Sequence, residues 1–263
     1  MSENMLYIQH ITVSYAGRPT VKDFSLSLGD GGICALVGES GSGKTSVIRA
    51  VLGLLPSGGR VTEGDILFDG QSLLSYTPAQ WRSLRGTEIS MIFQDCGAML
   101  NPTRKIGELF VEYIRTHQDV SRKTAWDMGA EMLERMRLPG GDDMMNSSPV
   151  QLSGGMRQRV GIAMAMTFRP RLLADEPTSA LDVTTQAQIV RQMMELRDEY
   201  GAAIILVTHN LGVAAYMAEE IVVMKNGEIM DQGERDYILH GAHCDYTQKL
   251  LDAVPSLGGV RYV

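Results

Sequence analysis

The residues with the clearest chemical role form one glycine-rich stretch near the N-terminus: Gly38, Glu39, Ser40, Gly41, Ser42, Gly43, Lys44 and Thr45. This stretch matches the phosphate-loop pattern G-x-x-x-x-G-K-[ST]. Its backbone can turn N–H groups inward around phosphate oxygens, with the positive end of a helix dipole behind them. We expect Lys44 to reach the β- and γ-phosphates of a nucleotide and the Thr45 hydroxyl to bind Mg²⁺.

The residues on either side of this loop are those that a phosphate loop requires. Ile33 to Val37 is a short, uninterrupted apolar run, which predicts a fully buried strand. From Thr45 to Leu55 the apolar residues recur at helical spacing, and Pro56 stops the pattern. A chance match in a glycine-rich turn is therefore the weaker interpretation.

An acidic pair further along the chain could supply metal and water chemistry. The apolar residues Leu172 to Ala174 lead directly into Asp175 and Glu176. Adjacent side chains on a strand point to opposite faces, so the two carboxylates can have different tasks. We expect Asp175 to hold Mg²⁺ through water and Glu176 to polarise the water that attacks the γ-phosphate. The alternative, a solvated loop start, is disfavoured downstream of a phosphate loop.

A second glycine-rich motif, Leu152-Ser153-Gly154-Gly155, follows a Pro- and Ser-rich break. Ser153 is suited to cap a helix, and the glycines leave several N–H groups bare at its start, which makes another anion site. One hypothesis is that this site covers a nucleotide held by a different subunit. The other is an ordinary capped helix, and the motif by itself does not separate the two.

The composition is that of a globular protein, with 44% apolar and 21% charged residues in 263. The net charge of −7 disfavours nonspecific nucleic-acid binding, so no nucleic-acid partner is expected. The longest apolar runs fall far short of the roughly 18 residues of a membrane helix. The N-terminus shows no secretory signal pattern, which favours the cytosol.

The cysteines do not have the spacing of a disulfide framework or a zinc site. Cys34, Cys96 and Cys244 are odd in number and widely separated. His240 and His243 lie close to Cys244, but we expect residues at helix ends there rather than a metal site.

Strand and helix patterns alternate on both sides of a helical middle segment. Apolar residues at three- and four-residue spacing predict helices across 102–138. Later elements are predicted at Arg171 to Ala174 (strand), Val183 to Tyr200 (helix), Ala203 to Val207 (strand) and Ile221 to Ile229 (hairpin turning at Asn226-Gly227). The sequence therefore predicts an α/β nucleotide-binding core interrupted by an all-helical insert.

The order of the motifs resembles one superfamily, the ATP-binding cassette ATPases, from about Leu6 to Val254. The motifs are the phosphate loop, FQD, LSGGM-R-Q-R, L-A-DEP, S-A-LD and T-H. LSGG between a phosphate loop and a strand that ends in DE is highly specific for this superfamily. The resemblance implies a P-loop NTPase core with a mixed sheet, flanking helices, an N-terminal antiparallel β subdomain and an inserted all-helical subdomain.

The same resemblance implies one nucleotide-binding domain across residues 1–263. The core with its antiparallel β subdomain is expected over 1–94 and 168–254. The helical subdomain that carries the LSGG motif is expected over 95–167, and residues 255–263 form a tail.

Roles for residues outside the phosphate loop also come from the resemblance. Tyr15 is implied to stack on adenine, and Gln94 to contact both the metal and the attacking water. His209 is implied to contact the γ-phosphate and Glu176. Its position after the predicted strand Ile204 to Thr208 supports this independently, since an imidazole there can donate to phosphate.

The remaining implied residues act on the nucleotide of a partner cassette. Ser153, Gly154 and Gly155 are implied to cover that nucleotide, with Ser153 and Gly155 touching its γ-phosphate. Asp182 is implied to lie at the dimer interface. Two such cassettes would bind head-to-tail with two ATP sites between them.

Within the superfamily, FQDCGAMLNPTRKIGE, LSGGMRQRVGIAMAM and DYTQKLLDAVPSL are similar to the ATPase subunits of peptide, nickel and opine-metal importers. Relatives usually have proline where this chain has Cys96, so the loop geometry there is expected to differ. The chain stops soon after Pro255, which resembles the shorter metal-importer type.

The expected function is ATP binding and hydrolysis that powers an importer of peptides or nickel or metal chelates, with ATP and Mg²⁺ as cofactors. The implied partners are a second ATPase subunit, which is a paralogue or a second copy, membrane permease subunits and, indirectly, an external solute-binding protein. The implied location is the cytoplasmic face of the membrane.

The alternative function is that of a soluble ATPase in a carbon–phosphorus lyase-like complex. A DNA-repair or translation ATPase is disfavoured because the chain has neither a long coiled-coil insert nor a second cassette.

Overall fold

The computed structural model describes residues 5–138, 141–175, 183–241, 244–253, 256–257 and 260–261. For residues 172–175, 183–185, 256–257 and 260–261 it describes the backbone only. The chain divides into two units, one formed by Met1–Trp81 with Gly201–Val263 and the other by Arg82–Tyr200.

The first unit contains strands of three sheets and the helices around them. Its N-terminal elements are β1 (Leu6–Tyr15), β2 (Arg18–Leu28), β3 (Ile33–Val37), α1 (Lys44–Val51), β4 (Gly59–Phe68), β5 (Gln71–Ser72) and α2 (Pro78–Leu84). The unit boundary after Trp81 falls within α2. The elements after the boundary at residue 201 are β8 (Ile204–Thr208), α9 (Leu211–Met217), β9 (Glu220–Lys225), β10 (Glu228–Glu234), α10 (Arg235–His240), α11 (Asp245–Asp252), β11 (Ser256–Leu257) and β12 (Val260–Arg261).

Apart from the antiparallel pair β11-β12, the strands of the first unit belong to two sheets. One antiparallel sheet has the order β2-β1-β4-β5. In the other, β3 lies between β8 and β9, parallel to both, and β10 pairs antiparallel with β9. All five residues of β3 and of β8 are buried, as expected for central strands that are covered on both faces.

The second unit is mostly helical. Its elements are β6 (Ile89–Ile92), α3 (Cys96–Met99), α4 (Ile106–His117), α5 (Arg122–Arg135), α6 (Gly141–Asn146), α7 (Gly154–Met166), β7 (Arg171–Asp175) and α8 (Val183–Tyr200). The strands β6 and β7 pair in parallel. The core of this unit includes Phe110, Ile114 and Leu133, which are fully buried. Among the described residues, no helix is long and apolar enough to cross a membrane.

Several local predictions are confirmed. The structure has the predicted α/β class, the strand at Ile33–Val37 and the helix at Val183–Tyr200. The hairpin turns at Asn226 and Gly227, whose φ angles of 51° and 84° are those of a two-residue primed turn.

Helix α1 ends earlier than the apolar pattern predicts. It stops at Val51 instead of Leu55, because Gly53 adopts a φ of 60° and terminates the helix in the left-handed conformation. The domain boundaries at 94/95 and 167/168 stay a prediction, beside the unit boundaries at 81/82 and 200/201.

Candidate functional site

The glycine-rich loop connects the buried strand β3 to helix α1 in the first unit. Gly41 and Gly43 have φ angles of 82° and 104°, a region that favours glycine. Gly43 is the residue before the helix and has no side chain that could cap it. The start of an α-helix carries N–H groups without a partner inside the helix, which suits it to bind anions.

Lys44 is the first residue of α1 and is only 5% exposed. Its Nζ donates to the carbonyl oxygens of Gly38 at 2.7 Å and Glu39 at 2.8 Å, and to Ser42 Oγ at 3.3 Å. These bonds draw the two ends of the loop around one ammonium group.

The β9–β10 hairpin holds the loop from outside. A Cβ on Gly38 would lie 2.2 Å from the carbonyl oxygen of Met224, so the first glycine is required by the close approach of β9. The N–H of Gly227, in the hairpin turn, donates to the carbonyl oxygen of Ser42 at 3.0 Å. The shape of the loop therefore depends on a hairpin far away in the sequence.

Tyr15 lies at the end of β1, and its hydroxyl donates to Ser46 Oγ at 3.1 Å. Ser46 belongs to the first turn of α1, so the tyrosine is attached to the helix that follows the phosphate loop. A Cβ on Gly59 would lie 2.6 Å from Tyr15 Cε1, which makes glycine necessary for the ring to pack there. The structure therefore places Tyr15 beside α1, and its role at adenine stays a prediction.

His209 follows β8 directly and is exposed. Thr208 pairs with Val37 in the parallel register of β8 and β3. Since carboxyl ends of parallel strands meet at one sheet edge, His209 and Gly38 both begin the segments that leave that edge.

In the second unit, Gln94 and Asp175 lie beyond the last register pair of two parallel strands. Ile92 pairs with Ala174, so the two residues leave the same sheet edge, and Gln94 is exposed. Glu176 and Asp182 lie outside the described residues.

The motif Ser153-Gly154-Gly155 forms the start of α7, as predicted. Ser153 is exposed, and its Oγ accepts a hydrogen bond from the N–H of Met156 at 3.3 Å. Gly154 is exposed, and a Cβ there would have no described atom within 4 Å. Among the described residues, nothing therefore blocks the side of the helix start that Gly154 faces.

Sequence reasoning missed Gln158, a residue of α7 that is 3% exposed. Its Oε1 accepts from the N–H of Cys96 at 3.0 Å, and its Nε2 donates to the carbonyl oxygen of Phe93 at 3.3 Å. These two backbone groups flank Gln94 in the sequence. A glutamine in a largely apolar helix, three residues after the LSGG motif, was the available signal.

Cys96 is buried against the same helix. A Cβ on Gly161 would lie 2.2 Å from Cys96 Cβ, so glycine leaves room for it. Burial raises the pKa of the Cys96 thiol to about 11, with smaller effects from the backbone of Phe93, which lowers it, and from Asp95, which raises it. The thiol is therefore neutral at physiological pH and serves packing rather than chemistry.

His240 and Cys244 lie at the end of one helix and the start of the next. Cys244 precedes α11, and its N–H and thiol both point to Asp231 Oδ2, at 3.4 and 3.2 Å. His240 ends α10, and His243 lies outside the described residues. Within the described part of the chain, no group of three or more His, Cys, Asp or Glu could hold a metal ion.

Comparison with known proteins places this geometry in a family. The family model described as ABC transporter matches residues 21–179. The oligopeptide transport ATP-binding protein OppD of Haemophilus influenzae is 43% identical over 91% of this chain and 74% of its own length. The dipeptide transport ATP-binding protein DppD of Lactococcus lactis subsp. cremoris is 39% identical over 97% of this chain and 75% of its own. The glutathione import ATP-binding protein GsiA of Escherichia coli is 40% identical over 98% of this chain and 43% of its own.

Solved structures of ATP-binding cassettes have a similar fold. A dimeric ATP-binding cassette in a post-hydrolysis state, bound to ADP and Pi, has a TM-score of 0.76 and 28% identity, with 88% of this chain and 99% of the other covered. The fold is also that of cbiO1 from Clostridium perfringens, part of the ABC transporter complex cbiONQ, with a TM-score of 0.78, 24% identity, and 89% and 90% of the two chains covered. A phosphate loop closed around Lys44, an open LSGG helix start and this sequence similarity have one common explanation: the chain belongs to the ABC transporter family, as one of its ATP-binding cassettes.

Proposed function

We propose that this chain binds and hydrolyses ATP to power an importer of peptides. The observation that carries the proposal is the bonding of Lys44 to both ends of a glycine-rich loop, at a helix start that follows Gly43. The relatives named for oligopeptide, dipeptide and glutathione transport favour peptides as the imported class. Nickel and metal chelates stay a prediction from the sequence.

In the proposed site, the loop amides and Lys44 bind the phosphates, and Tyr15 stacks on adenine. The oxygens of Thr45 and Asp175 suit Mg²⁺, which prefers hard oxygen ligands, and Gln94 adds an amide oxygen. When bound, Mg²⁺ neutralises charge on the phosphates.

Two further residues are proposed for the hydrolysis step itself. Glu176 takes the role of the general base that orients the water, and His209 donates a hydrogen bond to the γ-phosphate. His209 follows the carboxyl end of β8, a strand parallel to β3.

The second half of each reaction site is proposed to come from another cassette. Ser153, Gly154 and Gly155 begin a 13-residue helix, and the first two of them are exposed. Such a helix start attracts anions. A head-to-tail dimer, with Asp182 at the interface, would bring it to the γ-phosphate of the partner's nucleotide. The partner is a paralogue or a second copy.

The proposed setting is the cytoplasmic face of a membrane, where the cassette pair drives permease subunits that receive peptides from a solute-binding protein. Co-purification of membrane subunits with the tagged chain supports this setting. Co-purification of a soluble lyase complex without a permease supports the carbon–phosphorus lyase alternative.

The decisive experiment separates ATP binding from dimerisation. Binding of a fluorescent ATP analogue to the purified chain is expected to be lost in Lys44→Ala. Glu176→Gln is expected to bind ATP, to form ATP-dependent cassette dimers on size exclusion and to lose steady-state hydrolysis. Normal hydrolysis by Glu176→Gln, or full turnover by a dilute single cassette, would overturn the proposed split site.

A further inference from the structure

The C-terminal helix α11 contacts the phosphate loop through one side chain. Tyr246, the second residue of α11, is 7% exposed, and its hydroxyl oxygen accepts the N–H of Glu39 at 3.2 Å. The two residues are 207 positions apart in the sequence. Neither the phosphate-loop motif nor the predicted catalytic residues require such a contact.

The bonded N–H belongs to the peptide group that joins Gly38 to Glu39. The carbonyl oxygen of the same peptide group, on Gly38, accepts a hydrogen bond from Lys44 Nζ at 2.7 Å. A peptide group is planar, so its N–H and C=O directions are locked to one another. Tyr246 and Lys44 therefore hold opposite edges of one rigid plane, and the tyrosine fixes the direction of the carbonyl that the lysine uses.

This peptide group needs an external restraint because it follows a glycine. Gly38 adopts a φ of 157°, and a glycine backbone has few steric barriers to rotation of the next peptide. Glu39 and Ser40 are exposed, so packing around them does not fix the loop. Within the loop, Lys44 Nζ and the N–H of Ser42 both donate to the carbonyl oxygen of Glu39. The hydroxyl of Tyr246 adds a restraint from outside the loop, and it acts on the N–H of Glu39.

The tyrosine is itself held in place from two sides. The ammonium of Lys225 lies 4.5 Å from the centre of its ring, within the range of a cation–π contact. The next residue, Thr247, donates from its hydroxyl to the carboxylate of Asp231, which ties the start of α11 to β10. The ring is therefore fixed by the same hairpin that supports the loop.

We propose that Tyr246 is a positioning residue for nucleotide binding, which holds the Gly38–Glu39 peptide so that Lys44 is kept in its phosphate-binding place. The inference rests on the proposed nucleotide site but assigns a residue outside it. Tyr246 does not contact the nucleotide. Its loss lets the peptide rotate, which lowers the fraction of loops that are competent to bind and raises the measured Kd in proportion.

The test measures binding of a fluorescent ATP analogue, with Mg²⁺, to the full chain. Tyr246→Phe removes the hydroxyl and keeps the ring over Lys225. Its Kd is expected to rise about fivefold, the usual effect of one net hydrogen bond on an equilibrium. The matched control is Tyr7→Phe, which removes the same group from an exposed residue of β1 and should leave Kd and Tm unchanged.

Amide hydrogen exchange supplies a readout that general destabilisation does not mimic. In the unsubstituted chain the Glu39 amide is expected to be protected, and in Tyr246→Phe that protection should be lost while the β3 amides stay protected. Free exchange of this amide in the unsubstituted chain overturns the inference, whatever the stability of the variant. A Kd for Tyr246→Phe within twofold of the unsubstituted chain also overturns it.

Lys44→Ala distinguishes a failure of the proposed nucleotide site from a failure of the role proposed for Tyr246. If Lys44→Ala binds the analogue normally, the proposed nucleotide site is wrong. If Lys44→Ala loses binding and Tyr246→Phe does not change it, the site stands and the role of Tyr246 is wrong.

Discussion

The side chain of Gln158 is bonded to the backbone N–H of Cys96 at 3.0 Å, so the helix that begins with the LSGG motif holds the chain beside Gln94. The bond requires an N–H at position 96. A proline at this position would have none. The cysteine therefore allows a contact between two functional segments of the second unit that proline would remove.

Replacing this cysteine by proline should weaken the second unit. Cys96→Pro removes the donor and leaves the buried Gln158 Oε1 without that bond, at an expected cost of about 1–3 kcal/mol in the free energy of unfolding. Cys96→Ser keeps the N–H and a group that can donate to Phe93, so it is the matched control. Urea unfolding measures both. Equal stability of the two variants would mean that the Gln158 bond adds nothing.

The first glycine of the phosphate loop should not tolerate a side chain. In Gly38→Ala the new Cβ would lie 2.2 Å from the carbonyl oxygen of Met224, and backbone on both sides would have to move. We expect a loss of about 1–3 kcal/mol in unfolding free energy, together with weaker ATP binding.

Gly41→Ala is the comparison for that variant. A Cβ there meets no described atom within 4 Å, although its φ of 82° adds strain of about 1–2 kcal/mol. Thermal and urea unfolding with ATP titration would measure both variants. Unchanged ATP affinity in Gly38→Ala would show that the loop does not depend on its fit against β9.

A small substitution at the start of α7 should separate stability from hydrolysis. Gly154→Ala meets open space and gains helix propensity, so its unfolding free energy should stay equal or rise by up to about 1 kcal/mol. In the assembled cassette dimer, the added methyl group would lie where the partner's nucleotide is proposed to bind. Steady-state hydrolysis should fall at least about tenfold, as when an aimed donor is lost.

Gly29→Ala adds a methyl group in open space away from both motifs and should leave hydrolysis unchanged. ATP binding by the single Gly154→Ala chain should also stay normal, since its own phosphate loop is intact. Full hydrolysis by a Gly154→Ala dimer would count against the partner-site role of this helix.

The buried Cys96 should make stability fall at alkaline pH. Burial raises the pKa of its thiol from the model-peptide value of 9.0 to about 11 in the folded chain. The unfolded chain therefore releases the proton first as the pH rises. The contribution of the neutral thiol is complete below pH 9 and is lost between pH 9 and pH 11.

The measurement compares unfolding free energies of the unsubstituted chain and Cys96→Ser from pH 8 to pH 10. The advantage of the cysteine should shrink by about 1 kcal/mol at pH 10, since each unit of pKa corresponds to about 1.4 kcal/mol. A difference that stays constant with pH would show that Cys96 titrates normally in the folded chain.

Thiol labelling tests the same burial in another way. Cys34 and Cys96 are buried, and burial raises the pKa of the Cys34 thiol as well, with a further increase from Glu220. Cys244 is half-buried. A maleimide at neutral pH should modify Cys244 in the folded chain and the other two only in denaturant, which peptide mass mapping would detect. Labelling of Cys96 in the folded chain would contradict its packing against α7.

Local features of this protein were predictable because short-range physics determines them. The strand Ile33–Val37, the Ser153 cap and the Asn226-Gly227 turn each depend on a few consecutive side chains and on backbone angles that those residues prefer. The phosphate loop belongs to the same class, since its glycines and its lysine are contiguous.

The hydrogen bonds that hold the site segments in place join residues far apart in the sequence. Tyr246 meets Glu39 across 207 residues, and Gln158 meets Cys96 across 62. No local preference encodes such pairs, because they form only when strand order and helix packing bring two distant segments within hydrogen-bond distance. Residue types and spacing thus specify which groups can bind phosphate, and the packing of remote segments determines the geometry in which those groups are held.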